Sequence, residues 1–493
     1  MGELVASTPL VPIAVAVAIA IFGWRNVTAW ASAGSAFVIL AVAAAASVQV
    51  VDQGPIAALG GEVRLDALGA VMLLLVGIVA SITTTYATGY IGRQVTDGSA
   101  TARRAMFYGV LVQVTLAALV VVVIADNLGV MWVAIETTTI ATVLLVGHRR
   151  DGAAVEASWK YLVLGSVGIA TALLGTVLVY FVARHAAVDV DAGLRWSELV
   201  LVADQLDASA LRLPIGLVIV GYGTKAGLAP LHSWLPDAYS QAPAPVAGLM
   251  AGAVSAMSMY AIMRFTSIAR PALGDDFIRN LLIVGALASL ATAASFMLTQ
   301  RDLKRLLAYS SVEHIGLIAL GVAIGSPLAI SAALLHLVGN GTIKAVAFST
   351  VGEVERHLGT TTLSHTRGLL DRDRFTGTTF ALCLIALAGL PPFSLFASEV
   401  ALVRAGLDDG FGWIIAITLA AMMVIFTALA VHAINVLTGP AADRQTDVPT
   451  EPRATTIATR FPLAAGLVIV TGLGVTIWPI ARLVEHATAV LAP

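Results

Sequence analysis

The chain has 493 residues, of which 58% are hydrophobic and only 12% charged, with a formal net charge of −2 and a mean hydropathy of +0.90. A soluble globular chain carries roughly 45–50% apolar and about 25% charged residues, so this composition excludes a soluble enzyme and a disordered chain, and the charge gives no reason to expect nucleic acid. Outer-membrane barrel strands alternate polar and apolar residues, which these long apolar runs do not, so an all-α polytopic membrane protein remains.

A spanning helix needs about 20 mostly apolar residues. About fourteen such runs follow in chain order, centred near Val17, Val38, Leu74, Leu116, Ala141, Ala172, Val220, Val254, Leu287, Leu317, Ala332, Ile385, Leu419 and Val470. They leave room for one transmembrane domain over 1–493 with short loops. Met1-Gly2-Glu3 carries no basic segment, so the first run reads as a retained helix and not a signal peptide. Gly325-Ser326-Pro327 reads as the tight turn between the tenth and eleventh runs.

Lys and Arg concentrate in cytoplasmic loops. With the N-terminus outside, seventeen basic residues face the cytoplasm, among them Arg93, Arg149, Lys304, Arg356, Arg444 and Arg453. Nine face outside, among them Arg264, and two lysines lie within helices. Both termini are then outside a cytoplasmic (inner) membrane. The outer loops are acidic, as in Asp189, Asp191, Glu198, Asp204 and Asp207, and the longest inner loops are 353–376 and 440–460.

A charge at the bilayer centre costs at least about 2.5–3.5 kcal/mol, so ionisable residues inside apolar runs are functional candidates. Glu136, Lys225, His336, Lys344 and Glu399 stand out. His336 and Lys344 are eight residues apart, about 80° round a helix axis and so on one broad side. Glu313, close to the inner surface, reads equally as a solvated residue or as a further candidate, and His432 as a satisfied or interfacial histidine. The single cysteine, Cys383, reads as a core residue, unable to hold a disulfide or cluster alone. No GxxxxGK[ST] loop is present, which argues against an ATP-driven pump. No cofactor or metal is expected.

Pro230 and Pro236 interrupt the seventh run, and Pro391 and Pro392 the twelfth. Broken backbone at membrane depth is tolerated only inside protein or beside water, and two such segments at corresponding positions indicate an inverted repeat. Helices 4–8 (105–266) and 9–13 (277–438) then form two inverted five-helix repeats, followed by a C-terminal helix over 460–486. Lys225 and Glu399 fall on the paired broken helices. The chemistry that such residues permit is proton relay. Low dielectric disfavours a charged ammonium and a nearby carboxylate restores it, so moving one relative to the other loads or releases a proton.

Three stretches carry a specific resemblance. They are Lys225-Ala226-Gly227-Leu228-Ala229-Pro230-Leu231-His232-Ser233-Trp234-Leu235-Pro236-Asp237-Ala238, Asp302-Leu303-Lys304-Arg305-Leu306-Leu307-Ala308-Tyr309-Ser310-Ser311, and Gly389-Leu390-Pro391-Pro392-Phe393 followed by Glu399. The chain resembles the antiporter-like subunits of respiratory complex I and of Mrp-type cation/proton antiporters. Ser310-Ser311-Val312-Glu313-His314-Ile315-Gly316 and Trp159-Lys160-Tyr161 are most similar to component F of hydrogenase-4-type membrane-bound [NiFe] hydrogenases. The resemblance implies that Glu136 pairs with Lys225, that His336 and Lys344 belong to a relay in the eleventh helix, and that Glu399 ends it. His232 and His314 complete the candidate relay set. It also implies partners: other membrane subunits and a peripheral redox arm, of which a [NiFe]-hydrogenase-like arm is one form. Two positions depart from the pattern. Ala253–Tyr260 holds no lysine, and Asn340 stands where many relatives have a second histidine. The functional expectation is a proton-translocating subunit of a hydrogenase-like or complex I-like oxidoreductase, with no redox centre of its own. The alternatives are a cation/proton antiporter module and a membrane scaffold for a related ion-gradient-driven complex.

Overall fold

The computed structural model describes residues 1–185, 193–439, 456–478 and 480–491. The expectations for Asp189, Asp191, Arg444 and Arg453 lie outside the described residues. All fourteen expected centres fall within helices. Among the described residues twelve helices are long and apolar enough to span a membrane. They are α1 (Gly2–Phe22), α2 (Asn26–Gln53), α3 (Ala67–Thr96), α4 (Ala102–Ile124), α5 (Leu128–Arg149), α6 (Gly152–His185), α8 (Ala244–Leu273), α9 (Asp275–Met297), α10 (Leu303–Ile324), α11 (Pro327–Leu358), α13 (Gly412–Thr438) and α14 (Ile457–Val475). The remaining two centres lie in interrupted elements, α7a (Ala208–Ala226) with α7b (Trp234–Gln241), and α12a (Arg374–Leu387) with α12b (Ser394–Asp408). A short hairpin, β1 (Ile56–Ala58) and β2 (Val63–Leu65), precedes α3.

Polar residues set the helix starts. Asp66, Thr101, Asn127, Asp207, Asp302 and Asp373 each accept a backbone N–H in the first turn of the following helix, a cap worth about 0.5–2 kcal/mol. The Gly325-Ser326-Pro327 turn forms as expected. Gly325 takes the left-handed conformation that ends α10, and Pro327 opens α11, where its missing N–H costs nothing. α11 is longer than the sequence suggested. It continues to Leu358, so residues 353–358 are helix and not loop.

α8, α10 and α11 are buried almost throughout, while α1, α13 and α14 are mostly exposed. The exposed flanks are apolar, as in Val133, Ile140 and Leu144 of α5 or Ile417 and Met423 of α13, which is how lipid-facing surface looks. At the centre α8 and α11 cross closely. A Cβ at Gly252 would lie 2.6 Å from the Gly341 carbonyl oxygen, so glycine is what permits this approach. It puts the polar face of α11 inside the protein.

The break in α7 is stabilised by partners. α7a ends at Gly227, which is left-handed (φ 95°). The indole of Trp234 donates to the carbonyl of Thr224 (2.9 Å), and Ala229 N–H donates to Ser289 Oγ (2.9 Å). The backbone groups released by the break thus find partners within the protein, as membrane depth requires.

Candidate functional site

The first group of candidate residues lies on α5, α6 and α7a. Lys225 is the penultimate residue of α7a and fully buried. Its Nζ donates to Tyr161 Oη of α6 (2.5 Å). Tyr161 Oη is also 2.9 Å from Thr142 Oγ1, and its ring stacks on Trp234 at 4.5 Å. Among the described residues no carboxylate oxygen lies within 4.0 Å of Lys225 Nζ. Glu136 is nonetheless the acid whose field acts on Lys225. It is half-buried, and its Oε2 has no hydrogen-bond partner. The pairing of Glu136 with Lys225 that the resemblance implies is thus not a direct contact here; the group touching the lysine is the Tyr161 phenol. Tyr161, quoted only within the Trp159-Lys160-Tyr161 stretch, is not among the relay candidates read from the sequence, because a tyrosine stays neutral and lies 64 residues from its partner.

His232 lies in the α7 break, half-buried, with Nδ1 unpartnered. Its ring is 6.5 Å from that of Tyr309 in α10. The next residue, Ser310, belongs to the second group.

That group joins α10, α11 and α12b. Lys344 is fully buried, and its Nζ donates to Ser310 Oγ (2.5 Å) and to the Leu307 carbonyl (2.9 Å). Glu313, one turn beyond Ser310, is 3% exposed, with Oε2 unpartnered. Of the two readings open for Glu313, solvated residue or buried candidate, burial favours the second. α10 is buried on all sides, so a residue near its end is not in water. Electrostatically, Glu313 is coupled to both Lys344 and Glu399.

The histidines connect. His314 Nδ1 lies 3.0 Å from His336 Nε2, and His336 Nδ1 lies 2.9 Å from Ser398 Oγ. Ser398 also donates its hydroxyl hydrogen to the Leu395 carbonyl (2.8 Å). A hydroxyl has one hydrogen, so with that hydrogen on the Leu395 carbonyl Ser398 accepts from His336 Nδ1–H. His336 Nε2 is then the acceptor for His314 Nδ1–H. His314 Nε2 remains a bare, buried acceptor without a partner. The network thus fixes both tautomers and gives the chain of hydrogen bonds a direction, from His314 through His336 to Ser398. Glu399 is the next residue, buried at 8% exposure. Gly389, in the α12 break, has φ 62°, and Glu399 fills the place that a Cβ there would occupy. The break therefore cradles this carboxylate.

One ligand atom each from His314, His336 and Glu399 lies within 4.8 Å of the others, a spacing compatible with a metal ion. Three of the four ring nitrogens, however, already serve the directed hydrogen bonds.

Between the two groups no charged side chain intervenes on α8. Tyr239 Oη and Ser255 Oγ are 2.7 Å apart, and Ser258 Oγ and Asn340 Oδ1 are buried without partners. α8 does carry a buried base, which the sequence reading placed outside. Arg264 is 5% exposed and pairs with Asp66 through both Nη atoms (2.5 and 2.7 Å). Its guanidinium lies 4.1 Å from the Trp196 ring, so it is fully committed to this pair. Likewise, several presumed inner-loop charges are paired at helix ends. Glu353 binds Arg93 (2.9 Å), Arg356 (2.7 Å) and Tyr86 Oη (3.0 Å), and Glu355 binds Lys304 (2.7 Å) and Arg149. His432 Nε2 meets the Met297 carbonyl at 3.0 Å, the satisfied histidine that was expected.

A chain is 36% identical to this one over 340 residues in the hydrogenase-4 component F homologue of Methylacidiphilum infernorum, covering 69% of this chain and 71% of that protein. NADH-quinone oxidoreductase subunit N 3 of Streptomyces griseus is 33% identical over 354 residues, covering 70% of this chain and 64% of the relative, just under two thirds of its length. Among solved structures, a subunit of the archaeal membrane-bound sulfane sulfur reductase superposes with a TM-score of 0.85 at 24% identity, covering 100% of this chain and 97% of its own, and so shares the fold. Residues 125–425 match the model of the NADH:quinone oxidoreductase/Mrp antiporter transmembrane family. They include every candidate relay residue and both helix breaks, and this multi-pass membrane protein belongs to that family.

Proposed function

We propose that this chain is the proton-translocating antiporter-like subunit of a membrane-bound oxidoreductase complex. Its relay runs through Glu136, Lys225, His232, Lys344, His314, His336 and Glu399, with Glu313 and Tyr161 added to the set read from the sequence. The observation that carries the reading is the directed His314–His336–Ser398 chain ending beside Glu399. A proton taken at His314 Nε2 lets His314 pass its Nδ1 proton to His336 Nε2. His336 then releases its own Nδ1 proton towards Ser398 and Glu399. Imidazole suits this step because it donates and accepts near neutral pH. In the first group, Glu136 acts on Lys225 through the field and not through contact, so a small approach of the carboxylate would draw a proton onto the amine and a retreat would free it. Between the groups, Ser258 and Asn340 offer unpaired polar atoms as partners for the water that must carry the proton.

In this reading α4–α8 and α9–α13 are inverted repeats broken at α7 and α12, and α14 follows them. Lys225 stands just before its break and Glu399 just after its own, so the two lie on opposite sides of their breaks. Both termini face outside a cytoplasmic membrane. The driving partner is a peripheral redox arm on neighbouring membrane subunits, of the class named by the hydrogenase-4 and NADH-quinone oxidoreductase relatives.

The test is Lys225→Ala in the purified complex reconstituted into liposomes. Redox-driven proton flux should fall to background while subunit composition and redox turnover persist. Undiminished flux would overturn the relay and leave a scaffold role.

A further inference from the structure

A groove of about 440 Å³ opens between α4, α5 and α6, and none of the relay residues lines it. Phe107, Leu111, Leu144, Leu162 and Trp159 are among its walls, and Arg104, His148 and Arg150 are its only ionisable groups besides Tyr108. The basic residues sit where α4 begins and α5 ends, the level at which helices meet the membrane surface. Phe107, Leu144 and Trp159 are 43%, 57% and 62% exposed, so the apolar side of the groove opens laterally. A tryptophan at such a boundary fits the interfacial aromatic belt.

The charge in the groove is unbalanced. Neither Arg104 nor Arg150 has a carboxylate partner within 4.0 Å among the described residues, in contrast to neighbouring Arg149, which is paired with Glu355. His148 Nε2 is buried without a hydrogen-bond partner. Arg150 is held with φ 61° at the end of α5, a conformation rare for a non-glycine residue. It places a second guanidinium on the wall of the groove.

We propose that this groove is a binding site for one anionic phospholipid, its phosphate held by Arg104 and Arg150 and its acyl chain laid along Phe107, Leu144 and Trp159. Basic pockets between transmembrane helices recognise such headgroups. No acidic side chain lines the groove to meet the ammonium or choline of a zwitterionic lipid, and the lateral apolar opening suits an acyl chain where a soluble anion would gain nothing.

Trp159 gives a direct readout. The complex containing the full chain is reconstituted in vesicles with brominated phosphatidylglycerol or brominated phosphatidylcholine, and the Trp159 component is obtained by difference from Trp159→Phe. Brominated phosphatidylglycerol should quench that component at a mole fraction roughly tenfold to thirtyfold lower, given about 1 kcal/mol per basic residue at the surface. The Arg104→Gln/Arg150→Gln double variant should lose the preference while keeping its melting temperature. Added inorganic phosphate should not compete. Equal quenching by the two lipids, a preference that survives the double substitution, or competition by free phosphate would each overturn the proposal. So would the absence of quenching by either lipid, which would mean that a neighbouring subunit covers the groove.

Discussion

Helix α3 is fastened at both ends by buried ion pairs, whereas the middle of the bundle holds its charges apart. At one end Asp66 takes both Nη atoms of Arg264, and at the other Arg93 meets Glu353, which also binds Arg356 and Tyr86. Among these pairs every charge has an opposite partner. In the middle, Lys225 rests on a phenol and Lys344 on a hydroxyl and a carbonyl, while Glu136 and Glu313 each leave an oxygen unpaired. Both arrangements bury ionisable groups, and the difference is in what each can do. A paired charge is locked, because removing its partner strands the other charge in low dielectric. A charge held only by neutral dipoles can lose or gain its proton without breaking an ion pair, and that is the property a relay needs.

The sharpest way to break the contrast is at the ends. Arg264→Met should destabilise the protein by about 3–5 kcal/mol, because it strands Asp66. The double replacement Asp66→Leu/Arg264→Met should recover most of that loss. Thermal unfolding in detergent reads both, and a single variant as stable as the parent would remove the structural role. In the middle the balance reverses. Lys344→Met leaves no paired carboxylate stranded, so stability should change by no more than about 1 kcal/mol. Proton flux should fall by at least about a hundredfold, near 2.7 kcal/mol in the transfer barrier. A variant that loses stability but keeps its flux would place Lys344 with the locked pairs.

This distinction was only partly legible in the sequence. The apolar runs and the turn at Gly325-Ser326-Pro327 gave the helices, because membrane burial forces each run into a helix. The breaks were legible from Pro230 and Pro391-Pro392, whereas Pro236, read as part of the first break, lies within α7b. The facing of each residue was not. Glu313 and Arg264 both lie near the ends of apolar runs, where charge usually reaches water. Burial there depends on neighbouring helices that are distant in sequence, such as α3 against α8. Lys304, Arg149 and Glu353 look like loop charges for the same reason. The roles of Tyr161 and Ser398 were not legible for a different one. Neither ionises near neutral pH, and what makes each relevant is one hydrogen bond to a residue more than sixty positions away.

Those two neutral residues sharpen the comparison at smaller scale. Tyr161→Phe removes the acceptor for the Lys225 ammonium while keeping the ring stacked on Trp234. A hydrogen bond to a charged group is worth about 1.5–3 kcal/mol, so flux should drop by about tenfold or more, with assembly unchanged. Flux equal to that of the parent would mean that the contact to Tyr161 is incidental and that Glu136 alone controls the lysine.

Ser398→Ala is the gentlest test and the most specific. It leaves every ionisable group in place and removes only the acceptor that obliges His336 to carry its hydrogen on Nδ1. Without it His336 can adopt either tautomer, and in one of them His336 Nε2–H no longer accepts from His314. The wire then loses its direction for part of the time but not its members. A neutral hydrogen bond contributes about 0.5–1.5 kcal/mol, so the flux should fall about threefold to tenfold. Ser398→Thr, which retains the hydroxyl, should restore most of it. If alanine is silent, or if threonine fails as badly as alanine, the serine acts through packing and the histidine pair takes its order from elsewhere. An effect confined to alanine would show that a neutral side chain sets the direction of proton transfer among the unpaired groups, a control that the ion pairs at the ends of α3 have no means to exert.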